Sequence, residues 1–308
     1  SNACYPLKNG RIQMKLVNNF TSSKRKYSIL VLSFMGWCFV VSGNNFSNND
    51  FLVQRAHAQD ATLKQLRISN DILSGEALGE FMAYEPDSGT IMARNHEFYK
   101  SENGQYAAGI WEGKSGRINI ENAPYTEVMY ILEGAMMMGS PGKDAITYRA
   151  GEGLVMPKGW SGSFAVPEGG IRMIWSTYTN ETLPVGDSID LVLLDRDTLA
   201  GLRFSDFRPF DADVSDIIAR DHEFYRTSDD KFGVDVWEAQ PGQVPFADLG
   251  YDEMIYVLDG NMTFVNSNGD AQIYGPGKAL VLPRGWRGTG VVSTNGARLI
   301  LFWHRNNR

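Results

Sequence analysis

The chain has 308 residues and a formal net charge of −7. Nucleic-acid partners call for basic stripes, so this acidic balance argues against them. The two cysteines, Cys4 and Cys38, both stand near the start. The remainder is therefore held by an ordinary apolar core rather than by disulfides, and a chain of this length can build one.

The opening Ser-Asn-Ala reads as the scar of a cleaved tag, and Met14 as a candidate natural start. Lys24-Arg25-Lys26 then precede an apolar run at 29–41, and Ala56-His57-Ala58 supplies an A-x-A pattern. A basic region, a short apolar region and a small-residue cleavage site make a signal peptide. Residues 1–58 are thus expected to be scar and leader, with cleavage after Ala58 and a periplasmic or secreted product. The run is too short for a comfortable bilayer span. The mature chain is expected to have no integral membrane span, with an uncleaved N-terminal anchor as the alternative.

A short helix is predicted over 62–74 and another over 196–201. The rest reads as β. QYAAGIWEG (105–113), TEVMYILEG (126–134), DAITYRAGEGLVMP (144–157) and IRMIWSTYT (171–179) are short apolar or alternating runs. FGVDVWEA (232–239), DEMIYVLDG (252–260), DAQIYGPGKALVLP (270–283) and ARLILFWHR (297–305) repeat the series. Gly, Pro and Asn clusters separate them, as in a sandwich or barrel. The Gly-rich turns are followed by no helix and so are not phosphate loops.

The two series are copies. Glu127 and Glu253 are 126 residues apart, and the same offset carries ARNHEFY (93–99) onto ARDHEFY (219–225), Trp111 onto Trp237, and PKGWSG (157–162) onto PRGWRG (283–288). No gap is needed from residue 71 to residue 162. A period this long indicates a duplicated domain rather than a solenoid. The units are placed at 69–180 and 195–308, with 181–194 as the linker.

E-x-x-Y-[IV]-L-x-G in each unit resembles the second half of the first cupin motif, and G-x5-P-x-G (151–159 and 277–285) the start of the second. The fuller pattern, G-x-W-E and then P-[KR]-G-W-x-G, is similar to the DUF861-like cupin subfamily of unknown function, which holds ureidoglycine aminohydrolase-like and ethanolamine-utilisation-like proteins. The resemblance implies two tandem RmlC-like jelly-roll barrels. It says little of function, because this fold hosts unrelated activities.

Metal-binding members resemble one another in a set of H-x-H, a glutamate, and a last histidine. Imidazoles with one carboxylate suit Mn, Fe, Ni or Zn. Here the resemblance places Glu127 and Glu253 at the glutamate position. Ile120 and Asn122, or Phe246 and Asp248, stand for H-x-H, and Gly162 or Gly288 for the last histidine. No tightly held transition metal is expected, although a divalent ion on carboxylates alone stays open.

Only His96 and His222 recur between the units; His304 lies near the C-terminal end. They read either as acid–base groups swinging into a pocket or as hydrogen-bonding residues at a barrel rim, and one imidazole per site favours the rim. Trp111 and Trp237 read as core or as pocket wall. Trp160 and Trp286 read as packing at the barrel mouth. Strand alternation puts Tyr130 and Tyr256 on the face opposite the glutamates, and Met129 or Ile255 on the same face, so each glutamate points into an apolar lumen. Arg172 and Arg298 are candidates to answer its charge. The second pocket is preferred, with Glu253, Asp248 and His222 as its reactive groups and two acids able to raise one pKa. Glu127, Asn122, His96, Trp111, Trp237, Arg172 and Arg298 are the remaining binding candidates. The expected partner is a small polar molecule. A metal-dependent aminohydrolase and a purely structural barrel pair are the alternatives, and a homo-oligomer is left open.

Overall fold

A computed structural model describes residues 63–85, 89–185, 189–210 and 215–306. The segment read as a leader, with its expected cleavage site, lies outside these residues.

Strand β1 (Leu66–Ile68) and helix α1 (Asn70–Leu73) come first. The first barrel follows: β2 (Met82–Ala83), β3 (Met92–Lys100), β4 (Tyr106–Gly113), β5 (Gly116–Ile120), β6 (Thr126–Gly139), β7 (Ile146–Arg149), β8 (Gly153–Met156), β9 (Gly162–Val166) and β10 (Ile171–Tyr178). Then come β11 (Val192–Leu194) and helix α2 (Arg196–Leu199). The second barrel is β12 (Arg208–Pro209), β13 (Ile218–Arg226), β14 (Phe232–Ala239), β15 (Gly242–Phe246), β16 (Asp252–Asn266), β17 (Ala271–Tyr274), β18 (Ala279–Leu282) and β19 (Gly288–His304). All pairings are antiparallel, with β6 between β8 and β10, and β16 between β18 and β19.

The helix expected over 62–74 shrinks to one turn. Leu66–Ile68 instead pair with Val281, Leu280 and Ala279 on β18, and the backbone groups of an edge strand win over local helix propensity. Ser69 then caps α1 by accepting from the Ile72 amide, and Asp195 caps α2 by accepting from the Thr198 amide at 3.0 Å. The pairing of β1 is with the second barrel. Reciprocally, β11, inside the segment read as a linker, pairs with β8 of the first barrel. The strand ahead of each unit thus completes the sheet of the other.

Three apolar clusters result. One fills the first barrel around Trp111, Met129, Met138, Trp160 and Trp175, and one the second around Trp237, Ile255, Phe264, Trp286 and Leu299. The third joins the barrels, bringing Ile110, Val128, Tyr130 and Ile174 against Val236, Met254, Val281 and Ile300. Tyr130 and Tyr256 meet there with ring centroids 5.2 Å apart, on the face away from both glutamates, as strand alternation predicts.

The same interface holds a polar network that the sequence does not announce. His304 is fully buried, stacked on Tyr106 and 3.3 Å from an oxygen of Asp252. Tyr99 of the first barrel donates to the other Asp252 oxygen at 2.5 Å, and the Arg284 amide donates to it as well. These donors hold the Asp252 carboxyl below its ordinary range despite burial.

Candidate ligand-binding site

The first barrel encloses a cavity of about 310 Å³. Its floor is apolar: Met129, Met138, Met156, Met173 and Phe164 are all buried. Tyr84, Trp111 and Tyr125 supply aromatic walls, and the Tyr84 and Trp111 rings meet edge to face at 5.5 Å. Exposed Asn95, Glu97, Lys100 and Thr179 lie at the mouth.

Glu127 faces this space. It stands on β6 directly beside Thr177 of β10, which in turn stands beside Ala107 of β4. Small residues on the glutamate's own rung leave room in front of the carboxyl. Burial pushes its pKa up to about 7, and no cation or hydrogen-bond donor among the described residues pulls it back. Burial first, and then this carboxyl, raise the Tyr84 hydroxyl above its ordinary range, and the carboxyl with burial raises that of Tyr125. Trp111 is only 6% exposed, yet among the described residues nothing accepts from its indole N–H. A buried donor without a partner costs about 1–3 kcal/mol. The cavity therefore presents a deep titratable carboxyl in an aromatic and thioether lining.

The second barrel carries an indole on the rung that is open in the first. Trp303 of β19 stands beside Glu253, where Thr177 stands beside Glu127. Its ring lies over Gly233 and its N–H donates to Asp235 at 2.7 Å. Arg305 packs on Trp303 at 4.6 Å, and Arg226 approaches the same ring at 5.4 Å. Burial first, and then Asp235, push Glu253 up to about 8, against the opposing charge of Arg305. Burial is also what raises Asp235 to about 7.

Several expected site residues lie elsewhere. Asp248 is exposed, as is Asn122, whose φ of 50° puts it in a turn with its amide bonded to Ser161 Oγ. The acid that accompanies Glu253 is Asp235 instead. Alternation along β14 carries that signal, since Asp235 shares the lumen face of Trp237. His96 and His222 alternate with the lumen residues of β3 and β13 and face away from the pockets, and His222 packs edge to face on Phe224 at 5.0 Å. Neither is placed to act on a ligand in the lumen. Arg172 and Arg298 also lie on the outer face, one step from Met173 and Leu299. Arg172 pairs with Glu112 and Glu133, and Arg298 with Asp259 at 2.9 Å. They do not answer the lumen glutamates. Trp237 is buried core, edge to face with Phe210. Trp160 and Trp286 are buried packing, their N–H groups donating to Ser140 Oγ and Asn266 Oδ1.

Residues 100–174 and 226–298 each match the EutQ-like cupin domain. The chain is a bicupin. A DUF861-family protein of unknown function from Pseudomonas syringae pv. tomato superposes with a TM-score of 0.61 at 17% identity, over 78% of this chain and 99% of its own. A cupin 2 conserved barrel protein from Leptotrichia buccalis gives 0.54 at 11%, over 79% of this chain and 97% of its own. Identities this low speak for the fold alone. No curated protein matches the chain.

The imidazole set of metal-binding cupins does not fit this bicupin. A Cβ at Gly162 would run into the Gly139 carbonyl and the Trp160 ring, and one at Gly288 into the Val265 carbonyl and the Trp286 ring. The space for the last imidazole is taken by backbone and indole. Ile120 lines the cavity where the first imidazole would stand. Among the described residues, no three His, Cys, Asp or Glu side chains converge as a metal site. No described helix is long and apolar enough to cross a membrane.

Proposed function

We propose that this is an exported bicupin that binds a small molecule in its first barrel, without a histidine-held metal, while its second barrel is a filled partner. One observation carries the reading: about 310 Å³ of space lies before Glu127, where the matching rung in the second barrel is filled by Trp303. A concave, mostly apolar pocket with a few convergent polar groups is what small-ligand sites look like. The absent imidazoles support the metal-free part, and elemental analysis of protein purified without chelator tests it; one firmly held transition metal per chain would overturn it. The aminohydrolase resemblance is not carried over, because that metal's donor set has no counterpart here. Export rests on the basic, apolar and A-x-A segments ahead of Gln59. Intact mass after expression with the leader is expected to give a chain beginning at Gln59.

The binding test uses Thr177→Trp, which copies Trp303 into the first barrel. Thermal-shift screening against small amphiphilic molecules is expected to yield compounds that stabilise the natural chain and not the variant. Equal shifts in both, for every compound that binds, would sink the reading.

A further inference from the structure

We infer that the molecule held in the first barrel is a small organic monocation, an ammonium group on an apolar body, with the ammonium seated at Glu127. This rests on the reading that the cavity is a binding site.

The lining selects by charge. Among the described residues, Glu127 is the only ionisable carboxyl set deep in the cavity, and those around it provide no cation. Tyr84 faces it from beyond β2, Tyr125 from just ahead of β6, and Thr177 from β10. Glu97 and Lys100, both on β3 and both exposed, lie at the mouth and offset one another. An anionic ligand would meet Glu127 without a countercharge. A neutral ligand would leave the ionised carboxyl without a countercharge. A ligand ammonium supplies the missing charge, and Tyr84, Trp111 and Tyr125 offer aromatic surface of the kind that attracts cations. The four methionines and Phe164 accept an apolar body, and thioether side chains adapt to its shape. The single deep carboxylate answers a single ammonium, which sets the ligand as a monocation.

The pH dependence has a definite sign. Glu127 must be ionised to pair with an ammonium that is charged throughout the neutral range. With its pKa near 7, affinity falls as pH drops below 7 and levels off above it. A neutral hydrogen-bonding ligand that uses the protonated carboxyl would show the opposite trend.

Calorimetric titration with phenethylamine and its neutral counterpart 2-phenylethanol tests this. Phenethylamine is expected to bind at one site per chain, roughly tenfold more tightly at pH 7 than at pH 5.5–6, with proton release below pH 7. Glu127→Gln should weaken it roughly tenfold or more and flatten the pH profile. Thr177→Trp should abolish binding; if that variant does not fold, Thr177→Leu should weaken it. If 2-phenylethanol binds as well as the amine, or the amine ignores both pH and Glu127→Gln, while Thr177 variants still block binding, the ammonium assignment is overturned and the cavity reading stands. If neither probe binds, or binding survives both Thr177 variants, the assignment and the cavity reading fall together.

Discussion

Glu127 and Glu253 occupy matching positions in duplicated barrels, and the matching rung of the neighbouring strand carries Thr177 beside one and Trp303 beside the other. In the first barrel the bulky indole of β10 is Trp175, lying over Gly109 and bonded to Asn95 at 2.8 Å. In the second it is Trp303, lying over Gly233 and bonded to Asp235. Under the repeat offset, Trp303 matches Thr177 and Trp175 matches Leu301. The indole has moved one inward-facing step along the strand, from beside Met129 to beside Glu253. The supporting glycine moves with it, because a flat ring can lie close only over a residue without Cβ. The partner of the indole N–H moves as well. A tryptophan on the glutamate's rung closes a lumen, and the same residue one rung away leaves it open. Small barrels are close-packed and have little slack, so the position of one large side chain, with the residues that seat it, separates a core from a pocket.

Removing the plug is the most forceful way to break this contrast. Trp303→Thr should open a cavity at Glu253 and cost about 3–5 kcal/mol in chemical denaturation. A loss under about 1 kcal/mol would mean that Trp303 is not what fills the second lumen.

The two glutamates also differ in the pH window over which they work against folding. Both are raised in the folded state above the ordinary carboxylate value, so the folded chain binds more protons and stability falls as pH rises. For Glu127 the fall runs from the unfolded value near 4.5 to about 7, and for Glu253 it continues to about 8. Glu253→Gln should therefore remove the part of the decline between pH 7 and 8 and a total on the order of 4 kcal/mol by pH 8, with no gain at low pH. Glu127→Gln should leave the decline between 7 and 8 in place. Urea unfolding across pH 4.5–9 measures both, and identical slopes for the two variants would erase the distinction.

A histidine restored at Gly162 sharpens the comparison with metal-binding cupins. Gly162→His should destabilise by about 1–3 kcal/mol, because the carbonyl of Gly139 and the ring of Trp160 must move. It should gain no zinc affinity in competition titration. Firm zinc binding by this single variant would show that the lumen can rebuild an imidazole site.

The smallest effect is expected at Asp248. Since it is exposed and outside the second lumen, Asp248→Asn should change stability by less than about 0.5 kcal/mol and leave ligand binding unaltered. A large effect would return it to the site.

The amino-acid sequence by itself determined the duplication, the β class, the facing of Glu127 and Glu253 into apolar lumens, and the outward facing of Tyr130 and Tyr256. Repeat offset and two-residue alternation are local properties, readable without contacts. The same alternation, carried along β10 and β14, also places Arg172 outside and Asp235 inside; those positions were legible although the charge-pairing argument for Arg172 pointed the other way. Only the tertiary structure decided which barrel is open, because that depends on how Trp303, Gly233, Asp235 and Arg305 from different strands meet in space. The exchange of β1 and β11 between barrels was likewise invisible, since an edge strand chooses its partner by proximity of unpaired backbone groups rather than by its own composition. His304 stands near the end of the chain, where fraying is the usual expectation. It is buried because β19 runs into the barrel interface, where Tyr106, Tyr178 and Asp252 converge on its ring.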